Sequence, residues 1–171
     1  MKNSIVAVVY YVGAATDDIA LKRDYPSCTN GLAVALKNAN EELVAFASAK
    51  DGFIDNWLKT QSYVTDYVTT ADGNNGVPGV QIIQGYNNTK VFLLSSEDET
   101  LVADGKKAWS AQSDNMVTAL KQFRIDNPIS TTAEFTDWYL PSWKELDVIR
   151  ENYDLVSASI VKAGGTLERN E

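Results

Sequence analysis

Most of the side chains here that could do chemistry are carboxylates: 23 Asp and Glu stand against 15 Lys and Arg, and there is no histidine. Carboxylates on their own support acid–base pairs of the glycosidase kind and the coordination of hard cations. Asp17 with Asp18, and Glu134 with Asp137, are examples of such pairs. Chain neighbours rarely face each other across a substrate, and nothing in the sequence sets two acids in one apolar cleft that would drive their pKa values apart. Asp72-Gly-Asn74-Asn75-Gly76 has some likeness to a calcium loop, but its fifth position is Gly76, its sixth Val77 and its twelfth Ile83. An EF-hand needs an oxygen donor, a glycine and a carboxylate at those places. Without histidine there is no Ser-His or Cys-His pair and no common zinc ligand. Cys28 is the only cysteine; with no base to activate it and no partner for a disulfide, it reads as a partly buried spectator. There is no Gly-x-x-x-x-Gly-Lys loop and no Gly-x-Gly-x-x-Gly fingerprint. The sequence therefore assigns no catalytic residue, metal or cofactor, and the chain reads as a non-enzyme.

Binding chemistry is better represented. Trp138, Tyr139 and Trp143 flank Pro141 and have the flat faces and polar edges that suit a sugar or a peptide. Trp138 reads as a core anchor and Trp143 as the exposed member. Thr70 to Gly79, with Gly73, Gly76, Gly79, Asn74, Asn75 and Pro78, reads as an exposed loop. Trp143, Asn74 and Asn75 are thus the candidate ligand-binding residues. Asn87-Asn-Thr89 is formally a glycosylation sequon but has little meaning without a secretory route. A net charge of −8 argues against nucleic acid and anionic membrane surfaces as partners, and no stretch has the length of a membrane span.

The elements that must position these residues belong to a single domain over 1–171, the usual size for one core. Met1 to Thr16 admits a signal-peptide reading, with Lys2 ahead of an apolar run. The β-branched and aromatic residues from Ile5 to Val12 favour a first strand instead. Asp17 to Asn30 reads as a polar connection, and Gly31 to Leu36 as a second strand that pairs with the first. Asn40 to Thr69 is helical in places, with Phe53 and Trp57, then Tyr63 and Tyr67, at helical spacing. Gln81 to Ser95 fits strand or helix, and Glu97, Asp98 and Glu99 suit a solvated turn or a helix start. Ser113 or Asp114 caps a helix carrying Met116, Val117, Leu120 and Phe123, which Asn127-Pro128 stops. Ser142-Trp-Lys-Glu145 is a capping box that starts another helix. A further helix with Leu155, Val156 and Ile160 ends at Gly164-Gly165.

Three blocks in order, Cys28-Thr-Asn-Gly-Leu-Ala-Val-Ala-Leu36, Gly85-Tyr-Asn-Asn-Thr89, and Asp137-Trp-Tyr-Leu-Pro-Ser142 with Glu145-Leu146 and Gly164-Gly165, resemble a known family. It is the C-terminal domain of Legionella collagen-like proteins, with the related major-paralogous domains of surface proteins from gut anaerobes. The resemblance runs from about Val6 to Gly165. It implies an α+β, C-type-lectin-like fold with a small mixed sheet and several helices. It also implies a ligand-binding, non-catalytic role on a cell surface or phage particle, outside the cell. The calcium-dependent sugar motifs Glu-Pro-Asn and Gln-Pro-Asp are absent, since the prolines follow Tyr25, Val77, Asn127 and Leu140. Family members continue past Gly-Gly with a Tyr-Trp-Ser-Ser block, where this sequence reads Gly164-Gly-Thr-Leu-Glu-Arg-Asn-Glu171. Either the family's C-terminal strands are missing or another chain supplies them. The expected function is a recognition or attachment module that binds a glycan or protein on a cell surface. The alternative is a structural subunit of a virion or fimbria, a homo-oligomer whose sheet a neighbouring chain completes.

Overall fold

The computed structural model describes residues 5–46, 52–62, 66–73, 76–103, 106–107, 109, 115–132 and 134–166. Two strands, β1 (Ala7–Val12) and β2 (Gly31–Ala35), form an antiparallel pair in which Val9 faces Ala33 and Val12 faces Gly31, with a bulge between Val9 and Tyr11. Two short strands, β3 (Val102–Ala103) and β4 (Lys106–Lys107), make a second antiparallel pair. Among the described residues neither ladder has a third strand, so the sheet is antiparallel rather than mixed. The connection between β1 and β2 holds a short helix.

That helix, α1 (Ile19–Asp24), corrects the reading of Asp17 to Asn30 as plain connection. Asp18 caps it, and Ala20 and Leu21 are its buried residues. In the Asn40–Thr69 region the described helix is α2 (Phe53–Thr60), which carries Phe53 and Trp57 and buries Ile54, Trp57 and Leu58. Tyr67 lies outside the helix and Tyr63 outside the described residues. The undecided segment is helical: α3 (Gly85–Glu97) follows a 3-10 turn at Gly79–Gln81. Glu97 ends that helix and Asp98 is its C-cap, so the acidic cluster closes a helix rather than opening one.

α4 (Met116–Asp126) is capped by Asn115, whose side chain accepts from the Val117 and Thr118 amides. Ser113 and Asp114, the expected caps, lie outside the described residues. Val117, Leu120 and Phe123 form the buried stripe of α4, and Asn127 closes it. α5 (Trp143–Glu151) starts at the capping box of Ser142 and Glu145. α6 (Tyr153–Lys162) buries Val156 and Ile160 and is followed by Gly164 at φ +89°, the left-handed conformation that ends helices most cheaply at glycine.

The apolar interior has two clusters. Ile54, Trp57, Leu58, Val91, Phe92, Trp109 and Val117 pack where α2, α3 and α4 meet. Ala15, Ala20, Leu21, Leu32 and Tyr86 pack between the hairpin, α1 and the start of α3. No helix among the described residues is long and apolar enough to cross a membrane.

Candidate functional site

Around the N-terminal half of α3 lies a group of polar side chains contributed by four separate stretches of chain. Asp18 is 1% exposed, and its two oxygens serve two helices: Oδ1 accepts from Leu21 N at 2.9 Å in α1, and Oδ2 accepts from Asn87 N at 3.0 Å in α3. α3 has no capping side chain of its own at Gln84, so the cap comes from residue 18, far off in sequence. Burial pushes the Asp18 carboxyl up to about 6, although the two amide donors pull the other way.

Glu145 is fully buried, and its carboxylate is shared among three donors. Oε1 accepts from Tyr10 Oη at 3.1 Å and Tyr139 Oη at 3.0 Å, and Oε2 accepts from Ser142 N at 2.6 Å. Burial, followed by the Glu145 charge, holds both phenols well above their ordinary range, so they stay protonated donors. Ser142 Oγ donates to Ile82 O at 3.2 Å and accepts from Gln84 N at 3.3 Å. Gln84 Nε2 donates to Thr70 O at 2.9 Å. Asn87 meets Val68 through both ends of its amide at 3.1 Å, and Thr89 Oγ1 accepts from Leu140 N at 2.9 Å. Gly85 sits where a Cβ would lie 2.3 Å from Glu145 Oε2 and 2.7 Å from Leu140 O, which explains a glycine in the first turn of a helix.

Such a group holds these stretches of chain together. Each carboxylate is fully engaged by donors of its own chain, which is how buried charge is tolerated. Two of the blocks quoted for the family resemblance, Gly85 to Thr89 and Asp137 to Ser142 with Glu145, meet here through Thr89 and Leu140. Their side chains are spent on internal contacts. Sequence reasoning recognised Ser142 and Glu145 as a local cap but missed Asp18. The available signal was Asp18 directly ahead of Ile19-Ala-Leu21, an N-cap followed by an apolar turn.

The proposed acid pairs do not assemble into a catalytic site. Asp17 is exposed while Asp18 points inward. Asp137 pairs with Arg124 at 3.2 Å, and Glu134 is exposed. Cys28 is half-buried, its Sγ lies 3.0 Å from Glu134 O, and burial pushes its thiol up, away from the thiolate. Among the described residues no three His, Cys, Asp or Glu side chains gather as metal ligands.

The aromatic platform divides. Trp143 is 66% exposed at the start of α5. Trp138 stands edge-on to Phe123 at 5.5 Å and donates from Nε1 to Asn127 O at 2.7 Å, and Tyr139 turns inward to Glu145. Asn74 and Asn75 lie outside the described residues. The base of their loop is well anchored: Asp55 accepts from Thr70 N at 2.6 Å and from Ala71 N at 3.1 Å, and Gly79 N donates to Ala71 O at 3.1 Å.

With this geometry in view, the chain shares its fold with a fimbrial protein from Bacteroides ovatus. The TM-score is 0.68 at 19% identity, over 98% of this chain. The chain spans 35% of that protein's chain, so the likeness concerns one part of a longer molecule. No protein-family model and no curated protein matches the sequence.

Proposed function

We propose that this chain is a non-enzymatic structural domain of a bacterial cell-surface assembly of the fimbrial kind, in which a neighbouring copy completes the β1–β2 sheet. The observation that carries this reading is the hairpin itself. Among the described residues its ladder has no third strand, and Val9 and Val12 are 59% and 83% exposed. Unpaired strand edges with exposed β-branched residues are templates for pairing that monomeric proteins usually blunt with charge or proline. The shared fold with a fimbrial protein supports the same reading. The C-type-lectin-like assignment and its Legionella and gut-anaerobe relatives belong to this proposal as the family from which such a domain would be drawn.

Light scattering over a concentration series tests it. A mass that rises with concentration, and falls back to the monomer in the Val9→Lys and Val12→Lys variants, is the expected result. A monomer at every concentration would overturn it. A second reading, attachment to a surface glycan, is favoured by the exposure of Trp143 alone. A glycan array on which Trp143→Ala binds as well as the native chain would remove it.

A further inference from the structure

At the end of the β1–β2 hairpin lies an open groove of about 310 Å³. Its walls include Val6, Leu36, Phe123, Ile129 and Trp138, and among the described residues that line it Lys37 is the charged one. Phe123 and Trp138 form the edge-to-face pair already described, so this wall is fixed by packing and by the Trp138 hydrogen bond. The volume is at the lower end of the range for small-molecule sites, and an apolar wall with few polar groups is their usual composition.

We propose that this groove is a binding site for an aliphatic carboxylate, with the hydrocarbon chain along the apolar wall and the acid group at Lys37. A sugar or phosphate would lose its hydrogen bonds with water against this wall and regain few. Lys37 is exposed and makes no ion pair among the described residues. In a chain of net charge −8 it is a local cation beside an apolar surface. Apolar contact supplies the affinity, with each added methylene worth about fourfold until the groove is full. Lys37 supplies the sign preference, worth a few-fold for a solvent-exposed pair. This site does not depend on the assembly reading, because its ligand binds to a single copy.

The experiment is calorimetric titration of the native chain with hexanoate, octanoate, decanoate and decylammonium, at a protein concentration where light scattering shows the monomer. The expected result is saturable binding that strengthens about fourfold per methylene from hexanoate to octanoate. Decanoate should be preferred over decylammonium by a few-fold, and Lys37→Glu should invert that preference. Ile129→Asp, checked for folding by circular dichroism, should abolish binding of both. Absence of saturable binding would overturn the proposal, as would a preference for decylammonium in the native chain, which the overall charge alone would produce. Unchanged binding in Ile129→Asp would also overturn it. An Ile129→Asp variant that dissociates a dimer, with no ligand bound by the native chain, would assign the groove to a second copy instead.

Discussion

The two halves of α3 are held in different ways. From Gly85 to Thr89 the helix packs through Tyr86 and is otherwise bound by directional contacts: Asp18 on the Asn87 amide, Val68 on the Asn87 side chain and Leu140 on Thr89. From Val91 to Ser95 it is held mainly by volume, with Val91 and Phe92 packed against Trp57, Leu58, Trp109 and Val117. Apolar packing accepts residues of similar size in many combinations, whereas a buried polar group tolerates only the partner that satisfies it. The first half therefore sets which strands and loops meet, and the second half contributes bulk stability. Substitutions that leave shape nearly unchanged should separate the two.

The largest effect is expected at Glu145. Replacing it with Ala leaves Ser142 N, Tyr10 Oη and Tyr139 Oη without their acceptor. The cost should be about 4 kcal/mol in urea unfolding, with Glu145→Gln milder because an acceptor remains. A loss under about 1 kcal/mol for Glu145→Ala would mean that the junction does not organise the fold.

Asp18 comes next, and its effect depends on pH. Its folded pKa, about 6, lies above the ordinary 3.8, so the folded state binds the proton more tightly than the unfolded one. Stability from this group is fully present below about pH 4 and is lost as pH rises through about 6, by roughly 3 kcal/mol. Unfolding midpoints measured between pH 4 and 7 should show this fall in the native chain and lose it in Asp18→Asn.

These two residues also show how much of the molecule could be read from its sequence. The Ser142–Glu145 capping box was legible because both partners are local and the spacing is fixed. Its wider role was not, since Tyr10 and Tyr139 reach Glu145 from β1 and from the chain ahead of α5. α3 was ambiguous because Gly85, Asn87, Asn88 and Thr89 are weak helix formers and its cap lies in another element. The strands β1 and β2 and the helices α4 and α6 were legible from β-branched runs, apolar stripes and the Gly164 stop. Trp143 was correctly expected on the surface, but the platform around it was not formed. Trp138 is the core anchor its sequence suggests, while Tyr139 is drawn inward by Glu145, a partner whose wider role no local pattern reveals.

The direct comparison between the halves is a pair of near-isosteric changes. Thr89→Val strips Leu140 N of its buried acceptor and should cost about 2 kcal/mol. Ile54→Val, which removes one methylene from the apolar cluster, should cost about 1 kcal/mol. Equal costs by chemical denaturation would erase the distinction. The smallest effect is expected outside both regions: Trp143→Ala should change stability by no more than about 0.5 kcal/mol, as is usual for exposed positions.

The proposed assembly adds a third region, the hairpin, whose ladder a neighbouring copy would extend. Amide hydrogen exchange at low and at high protein concentration tests this most directly. The expected result is that the amides of Ala7–Val12 or Gly31–Ala35 gain protection as the chain associates, while those of Gly85–Thr89, already closed within one copy, stay as they were. Association with no new protection on either strand would contradict the account.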